Sequence, residues 1–393
     1  MQERKDGQAP GSAFRPLASG ILALVVAMGI GRFAYTPILP YMQKAFGLST
    51  GQSGLLASSN YLGYLSGAAL LTVVPPRAHH HGAALRASLA ATALTTGLMA
   101  ATGNFAVWLG LRFLAGVASA GVFVLASGAV LEALRRRRGA RLSGWLYSGV
   151  GIGIALSGLL VLFIGSAGSR GTGWRADWVS LAVLAAVLSV VCRAWLPEGE
   201  APVSGASGAD AERGLGRLLS LLWISYFLEG AGYIVSGTFL VKIVEDTPGL
   251  NGVGTAAWVL VGVAAAPSTV LWAGVSSRIG YLRALCVAYP LQAAGIALPV
   301  LSGSEWAAAL SAVLFGGTFM GITALVITYA SRKTGGSSRV IGLLTAAFGL
   351  GQVVGPLLPA ALGNSFTPAL LAAAGAALAG GLILAAPALG DRG

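Results

Sequence analysis

Charged residues are scarce in this sequence. Only 10% of its 393 residues are Asp, Glu, Lys or Arg, whereas a soluble domain typically carries about 25%. A chain with so few charges cannot cover a water-facing surface, and 55% of its residues are hydrophobic. The composition therefore excludes a soluble fold, and most of the outer surface must face lipid.

Cysteine and histidine, which supply disulfides, zinc sites and many catalytic centres, are also rare. The two cysteines, Cys192 and Cys286, stand alone, and the three histidines are consecutive, His79 to His81, in a short link. Neither set has the spacing of a metal site, and no histidine falls inside a predicted span. A Walker A motif is absent as well. We therefore predict no metal, no cofactor, no ATP-driven pumping and no enzymatic activity.

Long apolar runs are what the sequence does contain. Each run is continuous over ~20 residues, which predicts a membrane-spanning helix and excludes a barrel of ~10-residue alternating strands. The 58 glycines agree with this, because small residues let membrane helices approach closely. The predicted fold class is an all-α polytopic membrane protein. Its twelve predicted spans are 17–42, 52–74, 83–103, 105–133, 142–165, 177–196, 216–243, 253–276, 282–302, 306–331, 339–362 and 366–387.

The 25 Lys and Arg residues give a formal net charge of +12, but their positions argue against nucleic-acid binding. They lie mainly in short links on one side of the membrane, notably Arg135 to Arg138 and Arg141, without interleaved aromatic residues. Basic links stay in the cytoplasm, which predicts cytoplasmic N- and C-termini in the inner (cytoplasmic) membrane. The expected partners are a small-molecule solute and the lipid bilayer, with no nucleic acid, and we expect a monomer.

A polar stretch at the centre of the chain divides it into two halves. Pro197 to Gly214 is rich in Gly, Ala, Ser and acidic residues, which predicts a cytoplasmic linker. The predicted domains are an N-terminal six-helix bundle at 1–196, the linker at 197–215 and a C-terminal six-helix bundle at 216–393. Glycines recur between the halves at a spacing of about 200 residues, as in parallel transporter repeats. The matches are Gly29 and Gly31 with Gly230 and Gly232, Gly116 with Gly317, and Gly149 and Gly151 with Gly349 and Gly351.

Three charges lie deep within the apolar runs: Arg32 in the first span, Arg112 in the fourth and Glu229 in the seventh. A charge near the bilayer centre costs from ~2.5 to more than ~10 kcal/mol, so it faces the protein interior or a water-filled path. These residues indicate movement of a solute across the membrane.

Two motifs and two longer strings resemble the major facilitator superfamily. The link from Gly274 to Arg283 is similar to its G-x-x-x-D-R-x-G-R-[KR] loop, with Ser277 in the acidic position. Arg112-Phe-Leu-Ala115-Gly116 is similar to its R-x-x-Q-G motif, with Ala115 in place of Gln. The strings from Gly29 to Pro40 and from Tyr226 to Tyr233 resemble the YbfB/YjiJ-type branch. The resemblance implies twelve helices in two six-helix bundles that rock around a central cavity, and a gating role for Arg278 and Gly280.

Glu229 is the only carboxylate at predicted mid-depth, and Tyr226 and Tyr233 share its helical face. A carboxylate that meets water alternately from each side can take up and release a proton, so we predict Glu229 as the proton-coupling residue. A fixed salt bridge with Arg32 or Arg112 is the alternative.

The first span combines a cation with helix-loosening prolines. Arg32, Tyr35 and Thr36 share one face at 100° per residue. Pro37 and Pro40 follow, each without a backbone donor. The predicted gating residues are Pro37, Pro40, Arg278 and Gly280. The predicted substrate-binding residues, each of which has an interhelical structural role as its alternative, are Arg32, Tyr35, Asn60, Tyr64, Arg112, Tyr147, Tyr226, Tyr233 and Gln352.

Together these features predict a secondary active transporter of a small organic, anionic or zwitterionic solute, driven by a proton gradient through alternating access. Two arginines against one glutamate at depth favour the anionic or zwitterionic solute. The alternatives are a membrane sensor that binds without transporting and a uniporter without proton coupling. The direction of transport and the choice between symport and antiport stay open.

Overall fold

A computed structural model describes residues 13–137, 139–165, 173–195 and 216–390, and these ranges are helical without a strand. Their long helices are α1 (Phe14–Phe46), α2 (Thr50–Val73), α3 (His81–Ala101), α4 (Phe105–Arg136), α5 (Ser143–Ile164), α6 (Gly173–Trp195), α7 (Gly216–Glu245), α8 (Gly254–Ile279), α9 (Tyr281–Leu301), α10 (Glu305–Lys333), α11 (Ser338–Ala361) and α12 (Phe366–Gly390). The all-α membrane fold predicted from the sequence is confirmed. The predicted linker at 197–215 lies outside the described residues.

Eleven helices of the described ranges are long and apolar enough to cross a membrane. The remaining long helix, α2, has 24 residues, enough to span a bilayer, but it is more polar. Its polar side chains include Ser53, Ser58 and Asn60, which are buried inside the protein. Polar residues at membrane depth are accommodated when they face other helices, which accounts for the composition of α2.

Local capping fixes several helix ends. Ser49 and Gln52 form a capping box at the start of α2, and Asn104 accepts hydrogen bonds from the amides of Ala106 and Val107 at the start of α4. Gly47 ends α1 with φ of +61°, a left-handed conformation that glycine adopts without strain. These short turns return the chain into the membrane within a few residues.

The first helix is not α-helical throughout. Val25–Phe33 form a π-helical segment, after which α-helix resumes at Tyr35. π-Helical segments are rare in proteins, and those that occur are often found at functional sites. Pro37 has no N–H for the carbonyls of Arg32 and Phe33, so carbonyl groups at the end of this segment need donors from other helices.

The same helix pairs pack in each half, and glycines allow the contact. In the first half, Gly63 of α2 lies against the backbone of Phe113, and Gly116 of α4 lies against the backbone of Asn60. In the second half, Gly316 of α10 lies against the backbone of Val261 in α8.

The predicted match of Gly116 with Gly317 is therefore wrong by one residue. Gly317 faces open space, and Gly316 makes the equivalent contact. The two glycines are adjacent in the sequence, and letters alone do not show which one points at the neighbouring helix.

The first and fifth helices of each half also approach at glycines. In the first half, Gly149 of α5 lies against Ile21 of α1. In the second half, Gly351 of α11 lies against Phe227 of α7. These contacts agree with an internal repeat, but they align Gly149 with Gly351. The predicted match of Gly149 with Gly349 is wrong by two residues, because Gly349 lies against Leu65 of α2.

Two helix pairs, α5 with α8 and α2 with α11, pack closely across the boundary between the halves. Gly151 of α5 and Gly262 of α8 lie backbone to backbone. Ser58 of α2 donates a hydrogen bond of 2.7 Å to the carbonyl of Val353 in α11. The space left between these two pairs contains the candidate site.

Candidate functional site: a central cavity between the halves

A cavity of about 330 Å³ lies between the two halves. Both halves supply its walls: α1, α2, α4 and α5 from the first, and α7, α8, α10 and α11 from the second. Its lining residues are Met28, Arg32, Phe33, Tyr64, Leu65, Ala68, Phe123, Tyr147, Tyr226, Tyr233, Thr269, Phe319, Met320, Thr323, Ala324, Ile327, Thr328, Ile341, Thr345, Phe348, Gly349 and Gln352.

The cavity is reachable from one side of the molecule. The terminal side is here the side on which α1 begins, α7 begins and α12 ends. Lining residues nearest that side are accessible, with Thr328 exposed and Ile341 partly exposed. Arg32 and Gln352 at the other end are buried. The exposure gradient shows an opening toward the terminal side.

Beyond its buried end, direct contacts between the halves close the cavity. Thr36 of α1 donates a hydrogen bond of 2.5 Å to the carbonyl of Gly237 in α7. Tyr61 of α2 and Thr238 of α7 place their hydroxyls 3.4 Å apart. The molecule is therefore sealed on the side opposite the termini.

Arg32 is the only charged residue among those that line the cavity in the described ranges. Its Nη2 donates a hydrogen bond of 2.5 Å to Oε1 of Gln352, and the amide of Gln352 donates in turn to the hydroxyl of Tyr233. The guanidinium lies over the ring of Tyr64, 4.3 Å from its centroid. Four of the predicted substrate-binding residues thus meet at one point, and the network joins the two halves.

Aromatic rings form much of the rest of the lining. In the second half, Tyr226 stacks on Phe348 at 4.5 Å between centroids, Phe348 on Tyr233 at 5.4 Å, and Tyr233 on Phe319 at 5.6 Å. Phe319 and Phe348 were not predicted from the sequence. An isolated Phe in an apolar helix carries no signal that separates a cavity wall from a lipid-facing surface.

The first half also contributes rings to the cavity. Tyr147, predicted from the sequence, lines it from α5, and its ring centroid lies 6.1 Å from that of Phe123. Phe123 in turn lies 6.3 Å from Tyr64. Aromatic residues therefore face the cavity from both halves.

Three of the predicted substrate-binding residues, Tyr35, Asn60 and Arg112, lie outside the cavity lining. Arg112 donates to the carbonyls of Gly31 at 3.4 Å and Arg32 at 3.2 Å. Asn60 donates to the carbonyl of Arg112 at 2.9 Å, and the hydroxyl of Tyr35 donates to the carbonyl of Ser53 at 3.0 Å. These residues hold the backbone at the end of the π-helical segment behind Arg32.

The predicted gating residues occupy two separate places. Pro37 is buried in α1 and Pro40 is partly buried beside it. Arg278 is exposed at the end of α8. Gly280 forms the turn into α9 with φ of +87°. The prolines adjoin the closed end of the cavity, whereas the α8–α9 turn lies on the terminal side.

Glu229 is fully buried in α7 and does not line the cavity. Gln292 of α9 donates a hydrogen bond of 2.8 Å from Nε2 to Oε1 of Glu229. No ion pair joins Glu229 to Arg32 or Arg112 within the described part of the chain. Gln292 was missed because a lone Gln in an apolar helix does not show which neighbour it faces.

A family model described as "Uncharacterised MFS-type transporter YbfB" matches residues 24–386, most of the chain. The chain belongs to this family of major facilitator transporters. The resemblance found in the sequence is thereby confirmed, and the protein is a multi-pass membrane protein of a transporter family.

Relatives and solved structures agree with the YbfB-type family. A chloramphenicol resistance protein from Streptomyces lividans is 27% identical over 360 residues, which cover 88% of each chain. The inner membrane transport protein YdhP from Escherichia coli is 26% identical over 373 residues, covering 89% of this chain and 91% of YdhP. The crystal structure of a D-xylose-proton symporter superposes with a TM-score of 0.75 at 15% identity, covering 95% of this chain and 97% of the symporter. At that identity, the superposition shows the shared fold of this YbfB-type transporter.

Proposed function

We propose that this YbfB-type transporter is a proton-coupled secondary transporter. It carries a small organic, anionic or zwitterionic solute through the central cavity by alternating access. The observation that carries this proposal is a cavity between the two halves, open on one side and sealed on the other, with a cation at its closed end. Such an arrangement binds a solute from one side, and a rocking motion of the halves then exposes the solute to the other.

The proposed proton site is the buried pair of Glu229 and Gln292. Oε2 of Glu229 and Oε1 of Gln292 have no hydrogen-bond partner. A proton on Oε2 of Glu229 would supply the missing donor for Gln292, and the acid and the amide would then be joined by two hydrogen bonds. The geometry supports a carboxyl group that is neutral in this conformation and ionised when the helices rearrange.

A single helix connects the proposed proton site to the solute site. Tyr226 and Tyr233 lie one turn before and one turn after Glu229 on α7, and both line the cavity. Because α7 is continuous from Gly216 to Glu245, a movement of α7 against α9 also displaces these two rings. Proton uptake behind the cavity would in this way change its shape.

We place the protein in the cytoplasmic membrane with the terminal side in the cytoplasm. The excess of basic links on that side supports this orientation, and the Escherichia coli relative is named as an inner membrane protein. The cavity in this conformation would then open to the cytoplasm. The name of the Streptomyces lividans relative makes chloramphenicol one solute to include in a panel of candidates.

Substitution of Glu229 by Gln tests the coupling in proteoliposomes. Glu229→Gln keeps the shape of the protonated side chain but cannot release a proton. We expect it to lose accumulation of solute driven by a pH gradient by at least about tenfold. Exchange of labelled for unlabelled solute without a gradient should continue, since it requires no net proton movement.

The control is Glu305→Gln, the same change at an exposed residue at the start of α10. This variant should accumulate solute as the wild type does. Full gradient-driven accumulation by Glu229→Gln would overturn the assignment of the proton site. Solute binding by the wild type without any flux would instead favour the sensor.

A further inference from the structure

We propose that Gln352 occupies the position of a substrate carboxylate, and that the solutes carried are planar aromatic monocarboxylates. The proposal rests on the proposed transport function and narrows its substrate class. The juxtaposition that carries it is a guanidinium from the first half, an amide from the second half and aromatic rings on both sides of one cavity.

The guanidinium of Arg32 has an incomplete set of partners. Nη2 donates to Oε1 of Gln352 at 2.5 Å, whereas Nε has no hydrogen-bond partner although the residue is 2% exposed. Nε and Nη2 form one edge of the guanidinium plane, and this edge matches the two oxygens of a carboxylate. The amide of Gln352 has a single oxygen, which accepts a hydrogen bond from one of the two donors. A carboxylate in its place would serve both.

The charge of the site favours a monoanion. Arg32 is the only charged residue among the described cavity lining, and Glu229 lies outside it. One carboxylate neutralises Arg32, while a phosphate monoester dianion would leave a negative charge in a cavity with few polar groups. Burial of an unpaired charge is costly, so the site discriminates against such dianions.

The rings define the rest of the solute. Tyr226, Phe348, Tyr233 and Phe319 stack along one wall with interplanar angles of 6° to 19°, and Tyr64 lies beside the guanidinium. Aromatic faces and edges pack best against another planar ring. A flat aromatic body with a carboxylate at one end matches both the walls and the closed end.

Gln352 also links solute binding to the separation of the halves. Its side chain bonds to Arg32 of α1 and to Tyr233 of α7. A carboxylate that takes over the Arg32 edge displaces the Gln352 oxygen and breaks this connection. Gln352 is therefore a specificity-determining residue whose replacement changes the affinity for anions more than the affinity for neutral molecules.

Binding of three probes of similar size to the purified full-length protein tests the substrate class. The probes are 2-naphthoate, 2-naphthamide and decalin-2-carboxylate, which separate the contribution of charge from that of the planar ring. By calorimetry, we expect 2-naphthoate to bind at least about tenfold more tightly than 2-naphthamide, because one charged hydrogen-bonded pair contributes about this factor. It should bind at least about threefold more tightly than decalin-2-carboxylate, because only the planar ring can stack on the aromatic wall. Equal binding of the acid and the amide would overturn the proposal.

Two substitutions at Gln352 test its role. Gln352→Glu places a carboxylate beside Arg32, and it should weaken 2-naphthoate binding at least about tenfold while changing 2-naphthamide binding by less than about twofold. Gln352→Ala removes the competing oxygen and should strengthen binding of 2-naphthoate. The control is Asn251→Asp, the same amide-to-carboxylate change at an exposed loop residue. Equal losses for both probes in both Gln352 variants would show a purely structural residue.

The flux assay separates failure of this inference from failure of the proposed function. If the wild type accumulates another solute with a pH gradient but does not bind 2-naphthoate, the carboxylate class is wrong and the transport function stands. If 2-naphthoate binds with the expected dependence on Gln352 but no solute crosses the membrane, the site is correct and the transport function is wrong.

Discussion

The two buried arginines of the first half, Arg32 and Arg112, make different contacts although both lie at membrane depth. Arg32 ends in the cavity, where its guanidinium meets Gln352 and Tyr64. Arg112 points at backbone carbonyls of α1 and has the ring of Tyr35 beneath it at 5.0 Å. The first is placed to meet a solute, and the second stabilises the helix that carries the first.

Replacement of Arg112 by Ala should therefore reduce stability. The carbonyl of Arg32 would lose its side-chain donor, and that of Gly31 would keep only the bond from Asn60, at a cost of about 1–3 kcal/mol in the free energy of unfolding. Denaturation of the protein in mixed micelles with increasing SDS measures this loss. Arg86→Ala, at an exposed residue of α3, is the control and should unfold like the wild type. Unchanged stability with loss of solute binding would instead place Arg112 in direct contact with the solute.

Six of the residues predicted to bind substrate line the cavity: Arg32, Tyr64, Tyr147, Tyr226, Tyr233 and Gln352. The sequence could not predict that Tyr35 turns away. A period of 100° per residue places Arg32 and Tyr35 on one face, but the π-helical segment ends between them and changes the rotation. The position of a π-helical segment depends on hydrogen bonds from other helices. The residue pattern within one helix does not contain that information.

At the scale of helices, the closest contacts between neighbouring helices occur at glycines. A spacing of two hundred residues predicted a repeat, and the helix pairs α2–α4 and α8–α10 each pack through a glycine of the second helix. Which of two adjacent glycines faces the partner depends on a rotation of about 100° per residue. The pair Gly316 and Gly317 shows that only the structure reveals which of two adjacent glycines points at the neighbouring helix.

These two glycines provide a matched test of helix packing. A Cβ on Gly316 would clash with the backbone of Val261, whereas a Cβ on Gly317 would meet open space. We expect Gly316→Ala to cost about 1–3 kcal/mol in the free energy of unfolding. Gly317→Ala should be neutral or stabilise by up to about 1 kcal/mol, since Ala favours a helix. SDS denaturation measures both, and equal effects would contradict the packing of α8 on α10.

At the scale of the whole molecule, the predicted orientation in the membrane rests on the placement of basic residues. Ser277 lies exposed at the end of α8 on the terminal side, and Asn251 lies exposed in the turn before α8 on the other. The superposition on other transporters gives the fold but not which side faces the cytoplasm. The sequence predicts it, because the links on the terminal side carry most of the Lys and Arg residues.

Cysteine labelling in intact cells tests this orientation. In a background with Cys192 and Cys286 replaced by Ala, Asn251→Cys should react with a membrane-impermeant maleimide added outside. Ser277→Cys should react only after the cells are permeabilised. Labelling of Ser277→Cys in intact cells would reverse the orientation, and the cavity would then open away from the cytoplasm.

At the contact of α5 with α8, the backbones of the two halves approach each other directly. Gly151 and Gly262 have no side chains at their point of approach, so the two helices can shift against each other there without a change of rotamer. Hydrogen bonds also join the halves: Thr269 of α8 donates to the carbonyl of Gly144 in α5, Thr36 of α1 to the carbonyl of Gly237 in α7, and Arg32 of α1 to Gln352 in α11. In the proposed rocking motion these hydrogen bonds would break, so they would contribute to the barrier that sets its rate.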